Sequence, residues 1–181
     1  MVFIEKRLGE WILLFVPILF VFAVLFHVIY SLSGKNIVVG LFSAVNESIW
    51  EHFKLVVLPP ILLWSGFYLL KKKSMSINKN KWFTAALAAV ITMILTIPLL
   101  FYFYTQAFGV EYLWIDIIIS FLSVLFGQLT GLHIYTHAEG IDWRISVSIL
   151  VMIIIVFALF TLFPPELPIF KDSVTSRYGI S

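Results

Sequence analysis

Five long apolar runs limit the folds that this chain can adopt. They cover residues 11–31, 49–70, 82–105, 112–137 and 144–163. A helix needs about 20 mostly apolar residues to cross the hydrocarbon core of a bilayer, and only helices and closed barrels satisfy their backbone hydrogen bonds there. The sequence therefore predicts an all-α, polytopic membrane protein with five transmembrane helices in a single domain, residues 1–181.

The composition agrees with this class and narrows the possible chemistry. Hydrophobic residues make up 61% and charged residues 12% of the 181 positions, whereas soluble domains average about 45–50% and about 25%. The absence of cysteine excludes thiolate catalysis, disulfides and cysteine-ligated metals. Any bound metal must therefore use His, Asp or Glu ligands, and the net charge of +2 gives no reason to expect a nucleic acid partner.

The basic residues predict the orientation in the cell membrane. If the N-terminus is cytoplasmic, the cytoplasmic side carries eight of the twelve Lys and Arg residues: Lys6, Arg7, Lys71, Lys72, Lys73, Lys79, Lys81 and Arg144. The other side carries Lys35, Lys54, Lys171 and Arg177. Because cytoplasmic loops hold the excess of basic residues, we expect a multi-pass protein of the plasma membrane with a cytoplasmic N-terminus and an extracytoplasmic C-terminus.

Two segments outside the five runs are expected to lie on the outer side. Residues 37–45 are apolar but too short to cross a bilayer, and they predict an interfacial or re-entrant half-helix. Residues 164–181 are polar and interrupted by prolines, which disfavour a helix. We expect this segment to form a tail on the outer face rather than a sixth span.

The stretch AVNESIWEHFKL, residues 44–55, concentrates polar side chains between the half-helix and the second apolar run. Part of it has a structural interpretation. Ser48 and Glu51 have the spacing of a capping box, in which the serine caps a helix and the glutamate occupies its third position. Trp50 suits a membrane interface. Lys54 lies about one turn from Trp50 and Glu51, where it can pair with either.

Capping leaves Asn46, Glu47 and His52 unexplained. Ionisable residues within a membrane protein are expensive to bury and are functional candidates, and irregular backbone at that depth must line a cavity or be covered by protein. The sequence therefore predicts a polar pocket on the outer side. Its candidate residues are Asn46, Glu47, Glu51, His52, His27 near the end of the first run and Asp116 near the start of the fourth.

The residue types in this predicted pocket allow two kinds of chemistry. His27, Glu47, Glu51 and His52 provide imidazoles and carboxylates that can hold a divalent metal ion. The carboxylates can also act as general acids or bases if burial raises their pKa values. A divalent metal is the one cofactor that these residues suggest.

A second, weaker cluster lies at the other end of the fourth run. His133 and His137 are four residues apart on one helix face, as paired metal ligands are, and Glu139 and Asp142 follow in the loop. The alternative is structural, because histidines at the C-terminal end of a helix complement its dipole. Small and polar residues follow one face of this run from Asp116 to His137, which fits either helix packing or a polar pathway.

The chain resembles an uncharacterised family of small polytopic bacterial membrane proteins that carry the string N-E-S-x-W-E-H-x-K. In this sequence the string comprises Asn46, Glu47, Ser48, Trp50, Glu51, His52 and Lys54. The tail sequence RYGI, residues 177–180, supports the resemblance. The family is a domain of unknown function, so the resemblance implies a polytopic membrane protein and no assigned activity, substrate or cofactor.

Three functions are compatible with these patterns. The first is an outward-facing polar pocket that binds or transports a small molecule or an ion. The second is a metal-dependent or acid/base-dependent membrane enzyme that acts on a lipid-like substrate. The third is a structural or assembly partner within the bilayer, without chemistry of its own.

Overall fold

The computed structural model describes residues 2–180, with side chains from residue 7 onward. Within that range the chain forms five long α-helices, one short α-helix and a 3-10 turn, with no extended β-strand. In chain order they are α1 (Val2–Leu32), α2 (Ile37–Gly40), α3 (Ile49–Lys71), α4 (Lys79–Phe108), α5 (Leu113–His137), α6 (Trp143–Leu162) and the 3-10 turn Pro168–Phe170. The five long helices are each long and apolar enough to cross a membrane. The predicted fold class is therefore confirmed.

The long helices alternate in direction, so their connections gather at two ends of the bundle. We call one of them the lysine end, and it holds the lysine-rich α3–α4 connection and the α5–α6 connection. We call the other the tail end. It holds α2, the loop 41–48, the α4–α5 connection 109–112 and the C-terminal segment 163–180. The AVNESIWEHFKL stretch, which covers the end of loop 41–48 and the first turns of α3, therefore lies at the tail end.

The predicted half-helix is shorter in the structure than residues 37–45, because α2 is a single turn. Backbone groups that would continue this helix bond to α3 side chains instead. The Gly40 carbonyl accepts a hydrogen bond from Lys54 Nζ at 2.7 Å, and the Val45 N–H donates to Glu51 Oε2 at 3.1 Å. Contacts with a later part of the chain, rather than the local apolar pattern, therefore decide where α2 ends.

Helix α3 begins where the capping pattern predicts. Ser48 is its N-cap, and the Ser48 hydroxyl accepts a hydrogen bond from the Glu51 N–H at 3.3 Å. The reciprocal bond of a capping box comes from a different residue, since Asn46 Oδ1 accepts from the Ser48 N–H at 2.9 Å. The Glu51 carboxylate is thus not used at the helix end, and it turns toward Lys54.

Aromatic rings and small residues hold the long helices together. Trp64 on α3 and Trp82 on α4 are fully buried, and their ring centroids are 4.5 Å apart. The Trp82 indole N–H donates to the Trp64 carbonyl, and the Trp64 indole N–H donates to Gln128 Oε1. On α5, Gly127 approaches α4 so closely that an added Cβ would lie 2.8 Å from the Ala89 carbonyl oxygen. The middle of the polar face of α5 therefore serves helix packing.

Candidate functional site

Two helices and the loop before α3 bring three ionisable side chains together at the tail end. Glu47 immediately precedes the N-cap of α3, His52 lies in the first turn of that helix, and His27 faces them from α1. Glu47 Oε2 lies 3.5 Å from His27 Nε2 and 3.4 Å from His52 Nε2. The two imidazole rings have centroids 5.4 Å apart. These three predicted pocket residues form one group, which we call the His–Glu–His cluster.

Neighbouring groups determine the ionisation of Glu47 and the orientation of the His52 ring. Glu47 lies outside the membrane-spanning helices, and the neighbouring imidazoles, first His27 and then His52, hold the pKa of Glu47 well below its usual value. The carboxylate is therefore ionised. His52 Nδ1 lies 2.8 Å from the Ser48 carbonyl oxygen. Because a carbonyl can only accept a hydrogen bond, this nitrogen carries the proton, and Nε2 is the nitrogen directed to Glu47.

The structure does not bring Glu51 into the His–Glu–His cluster. The Glu51 side chain is 2% exposed and that of Lys54 is 0% exposed, whereas Glu47 is 44% exposed. Lys54 Nζ lies 2.5 Å from Glu51 Oε2. On α6, the Thr161 hydroxyl donates to Glu51 Oε1 and accepts from Lys54 Nζ, both at 2.9 Å. This buried ion pair joins the loop before α3, α3 itself and α6.

Asn46 contacts the C-terminal tail rather than the His–Glu–His cluster. Asn46 Nδ2 donates to the Gly179 carbonyl at 2.9 Å. Nearby, the Trp50 ring lies between α6 and the tail, with its centroid 4.5 Å from that of Phe157 and 4.6 Å from that of Phe170. These contacts hold the tail over the start of α3.

A cavity of about 1000 Å³ lies beside the cluster. Glu47 and His52 line it together with Asp116 at the start of α5. Tyr104 on α4 donates a hydrogen bond to Asp116 Oδ1 at 2.7 Å, which fixes that carboxylate at the cavity wall. Other lining residues come from the end of α4, the α4–α5 connection and the tail: Phe101, Tyr102, Glu111, Lys171, Asp172 and Ser173. Asp116 thus shares one cavity with Glu47 and His52 of the His–Glu–His cluster.

The second predicted cluster lies on exposed surface at the lysine end. His133 and His137 are exposed, with ring centroids 4.5 Å apart. Asp142 caps α6 by accepting a hydrogen bond from the Arg144 N–H at 2.8 Å, and Glu139 is exposed. Among the residues that the structure describes, the His–Glu–His cluster is the one group of three or more His, Asp or Glu residues with ligand atoms close enough to share a metal ion.

The profile of a family of unknown function, DUF6512, matches residues 2–180. The chain belongs to the DUF6512 family. The match covers all the helices and the tail, and it confirms the resemblance to an uncharacterised family. No curated protein matches the chain, and no solved structure matches it.

Several residues in or around the candidate site of this DUF6512 protein were not predicted from the sequence. Glu111 carries a usable signal, since it is an acidic residue in the short connection just before Asp116. Tyr104 and Thr161 carry none, because each is an ordinary residue in the pattern of an apolar helix. Asp172 belongs to a tail whose docking over the cavity depends on tertiary contacts.

Proposed function

We propose that this DUF6512 protein binds or transports a small cationic molecule or ion in an outward-facing pocket. The charge of the cavity carries this proposal. Its lining includes four carboxylates, from Glu47, Glu111, Asp116 and Asp172, against one lysine, Lys171, and the imidazole of His52. Carboxylates that share a site of reduced dielectric repel one another. A bound cation offsets this repulsion, so the pocket favours positively charged ligands.

The size and the aromatic lining of the cavity favour a small organic cation. Its volume of about 1000 Å³ is at the upper end of the range of about 300–1000 Å³ that small-molecule sites occupy. Phe101 and Tyr102 line it, and aromatic faces attract ammonium groups. Asp116, held by Tyr104, provides a fixed carboxylate partner for such a group.

The outward direction of the pocket follows from the orientation that the basic residues predict. In that orientation the lysine end faces the cytoplasm and the tail end faces outward. Because the chain has no cysteine, single cysteine substitutions report on each end separately.

Val174→Cys, in the exposed tail, should react with a membrane-impermeant maleimide on intact cells. Ser74→Cys, in the exposed connection at the lysine end, should react only after the membrane is opened. Labelling is measured by the mass shift of the purified protein, and the cysteine-free wild type gives the background. The reverse pattern would contradict the outward-facing pocket.

Choline should stabilise the purified protein against thermal unfolding more than its neutral isostere 3,3-dimethyl-1-butanol does, because ligands that bind only the folded state raise its stability. We expect Asp116→Asn to weaken this response about tenfold in concentration, the equivalent of about 1.4 kcal/mol. The amide keeps an oxygen for the Tyr104 hydroxyl and removes the charge. The measurement is a melting curve at increasing choline concentration in buffer that contains EDTA.

Asp142→Asn is the matched control for this experiment. It removes one carboxylate at the lysine end, and Asn also caps helices well, so the wild-type response to choline should remain. An equal loss of response in both variants would indicate a general charge effect. If choline, tetramethylammonium and putrescine all fail to stabilise the wild type beyond matched neutral compounds, the cationic pocket is wrong.

A further inference from the structure

We propose that the His–Glu–His cluster binds one divalent transition-metal ion of the zinc type. The ligand atoms are His27 Nε2, Glu47 Oε2 and His52 Nε2. The inference names a specific ligand set within the proposed cation pocket, and it rests on that proposed function for the access of the ion through the cavity.

The distances within the cluster fit metal ligands better than hydrogen-bond partners. Glu47 Oε2 lies 3.5 Å from His27 Nε2 and 3.4 Å from His52 Nε2, beyond the usual range of about 2.7–3.2 Å for N–H···O bonds. With metal–ligand bonds of about 2.0–2.1 Å, neighbouring ligands of a tetrahedral site lie about 3.3–3.4 Å apart. The ligand atoms of all three residues lie within 4.8 Å of one another. The two distances from the carboxylate to the imidazoles therefore match those between ligands of one ion.

The hydrogen bond behind His52 prepares this ring for a metal. Its Nδ1 is held by the Ser48 carbonyl at 2.8 Å, so in the neutral imidazole the lone pair is on Nε2. Metal-binding histidines usually donate their second ring N–H to a carbonyl or carboxylate, which fixes both tautomer and orientation. Ser48 is also the N-cap of α3, and the same residue thus positions the helix and the ligand.

The donor set indicates the class of metal. Two imidazole nitrogens and one carboxylate suit zinc and its neighbours in the first transition row, whereas magnesium and calcium prefer sites made of oxygen alone. Zinc sites that hold an exchangeable fourth ligand use three protein ligands, and closed structural sites use four. Glu47 and His52 both line the cavity. A metal bound between them is therefore within reach of a ligand in that cavity.

The test is a titration of the purified full-length protein, made without a polyhistidine tag, first with Co²⁺ and then with Zn²⁺. We expect one ion per chain, and a visible Co²⁺ spectrum of four- or five-coordinate type that Zn²⁺ removes. Loss of an outer hydrogen-bond partner of a metal ligand typically weakens affinity about 10–100-fold. Glu47→Gln and His27→Ala/His52→Ala each remove metal ligands, so the metal affinity of both variants should fall by at least that factor.

His133→Ala/His137→Ala is the matched control, because it removes two imidazoles from the exposed pair at the lysine end. It should keep the affinity and the spectrum of the wild type. The proposal is overturned if the wild type binds no ion, or if the cluster variants keep the binding that the wild type shows. Glu47→Gln keeps the size of an exposed loop side chain, so it provides the test even if the double histidine variant does not fold.

Asp116→Asn separates this inference from the proposed function. It should lose the response to choline and keep the bound metal, since Asp116 is outside the His–Glu–His cluster. His27→Ala should lose the metal and keep the response to choline in EDTA, because His27 is not among the residues that line the cavity. Failure of one proposal is thereby visible without failure of the other.

Discussion

Replacing Lys54 with methionine should lower the free energy of unfolding by about 3–5 kcal/mol, the usual cost of removing one partner from a buried ion pair. The Glu51 carboxylate, 2% exposed, would then be buried without its counter-charge. The Gly40 carbonyl would also lose the hydrogen bond that ends α2. The measurement is denaturant unfolding in mixed micelles, and increased cleavage by protease in loop 41–48 should accompany the loss.

Two further variants distinguish the effect of breaking the buried ion pair from the effect of replacing any lysine. Lys73→Met, in the exposed connection at the lysine end, should change stability by less than about 0.5 kcal/mol. Glu51→Gln combined with Lys54→Met removes both charges and should recover much of the loss, because replacement of a whole buried pair by neutral groups is often tolerated. A Lys54→Met protein as stable as the wild type would contradict a stabilising role for the pair.

Gly127→Ala should destabilise the bundle by about 1–3 kcal/mol, the typical cost of overpacking a core. The added Cβ would lie 2.5 Å from two Met93 side-chain atoms and 2.8 Å from the Ala89 carbonyl oxygen. Met93 can change rotamer, but the backbone carbonyl cannot move without shifting α4. We therefore expect α4 and α5 to separate slightly, and Gly127→Leu to cost more than Gly127→Ala in the same unfolding measurement.

Gly66→Ala is the matched control for this substitution. Gly66 is also inside a long helix, yet an added Cβ there has no neighbouring atom within 4 Å. Alanine favours a helix over glycine by about 0.5–1 kcal/mol, so Gly66→Ala should be neutral or stabilising. If both glycine variants lose stability equally, close packing of α5 on α4 is not the cause.

The two glutamates of the AVNESIWEHFKL stretch show how tertiary structure divides one motif into two roles. Glu47 and Glu51 are four residues apart, and the sequence places both in one pocket. In the structure Glu47 is 44% exposed beside two imidazoles, and Glu51 is 2% exposed beside a lysine. Since Glu47 precedes the helix and Glu51 lies within its first turn, they face different partners. We expect the stability of the protein to depend on Glu51, and ligand binding to depend on Glu47.

The membrane class, the five long helices and the N-cap at Ser48 can all be predicted from the sequence. These features depend on local physics: the number of apolar residues that span a bilayer and the hydrogen bond that a serine hydroxyl accepts from a nearby N–H. Helix limits such as Ile49–Lys71 therefore agree closely with the apolar run over residues 49–70.

The distant partners of the polar side chains, the end of α2 and the lining of the cavity depend on the tertiary structure. Glu51 bonds to Thr161, which is 110 positions away, and Asn46 bonds to Gly179, which is 133 positions away. No local spacing encodes such partners, because they depend on how the helices pack and where the tail docks. His27 meets Glu47 and His52 for the same reason, across the contact between α1 and α3.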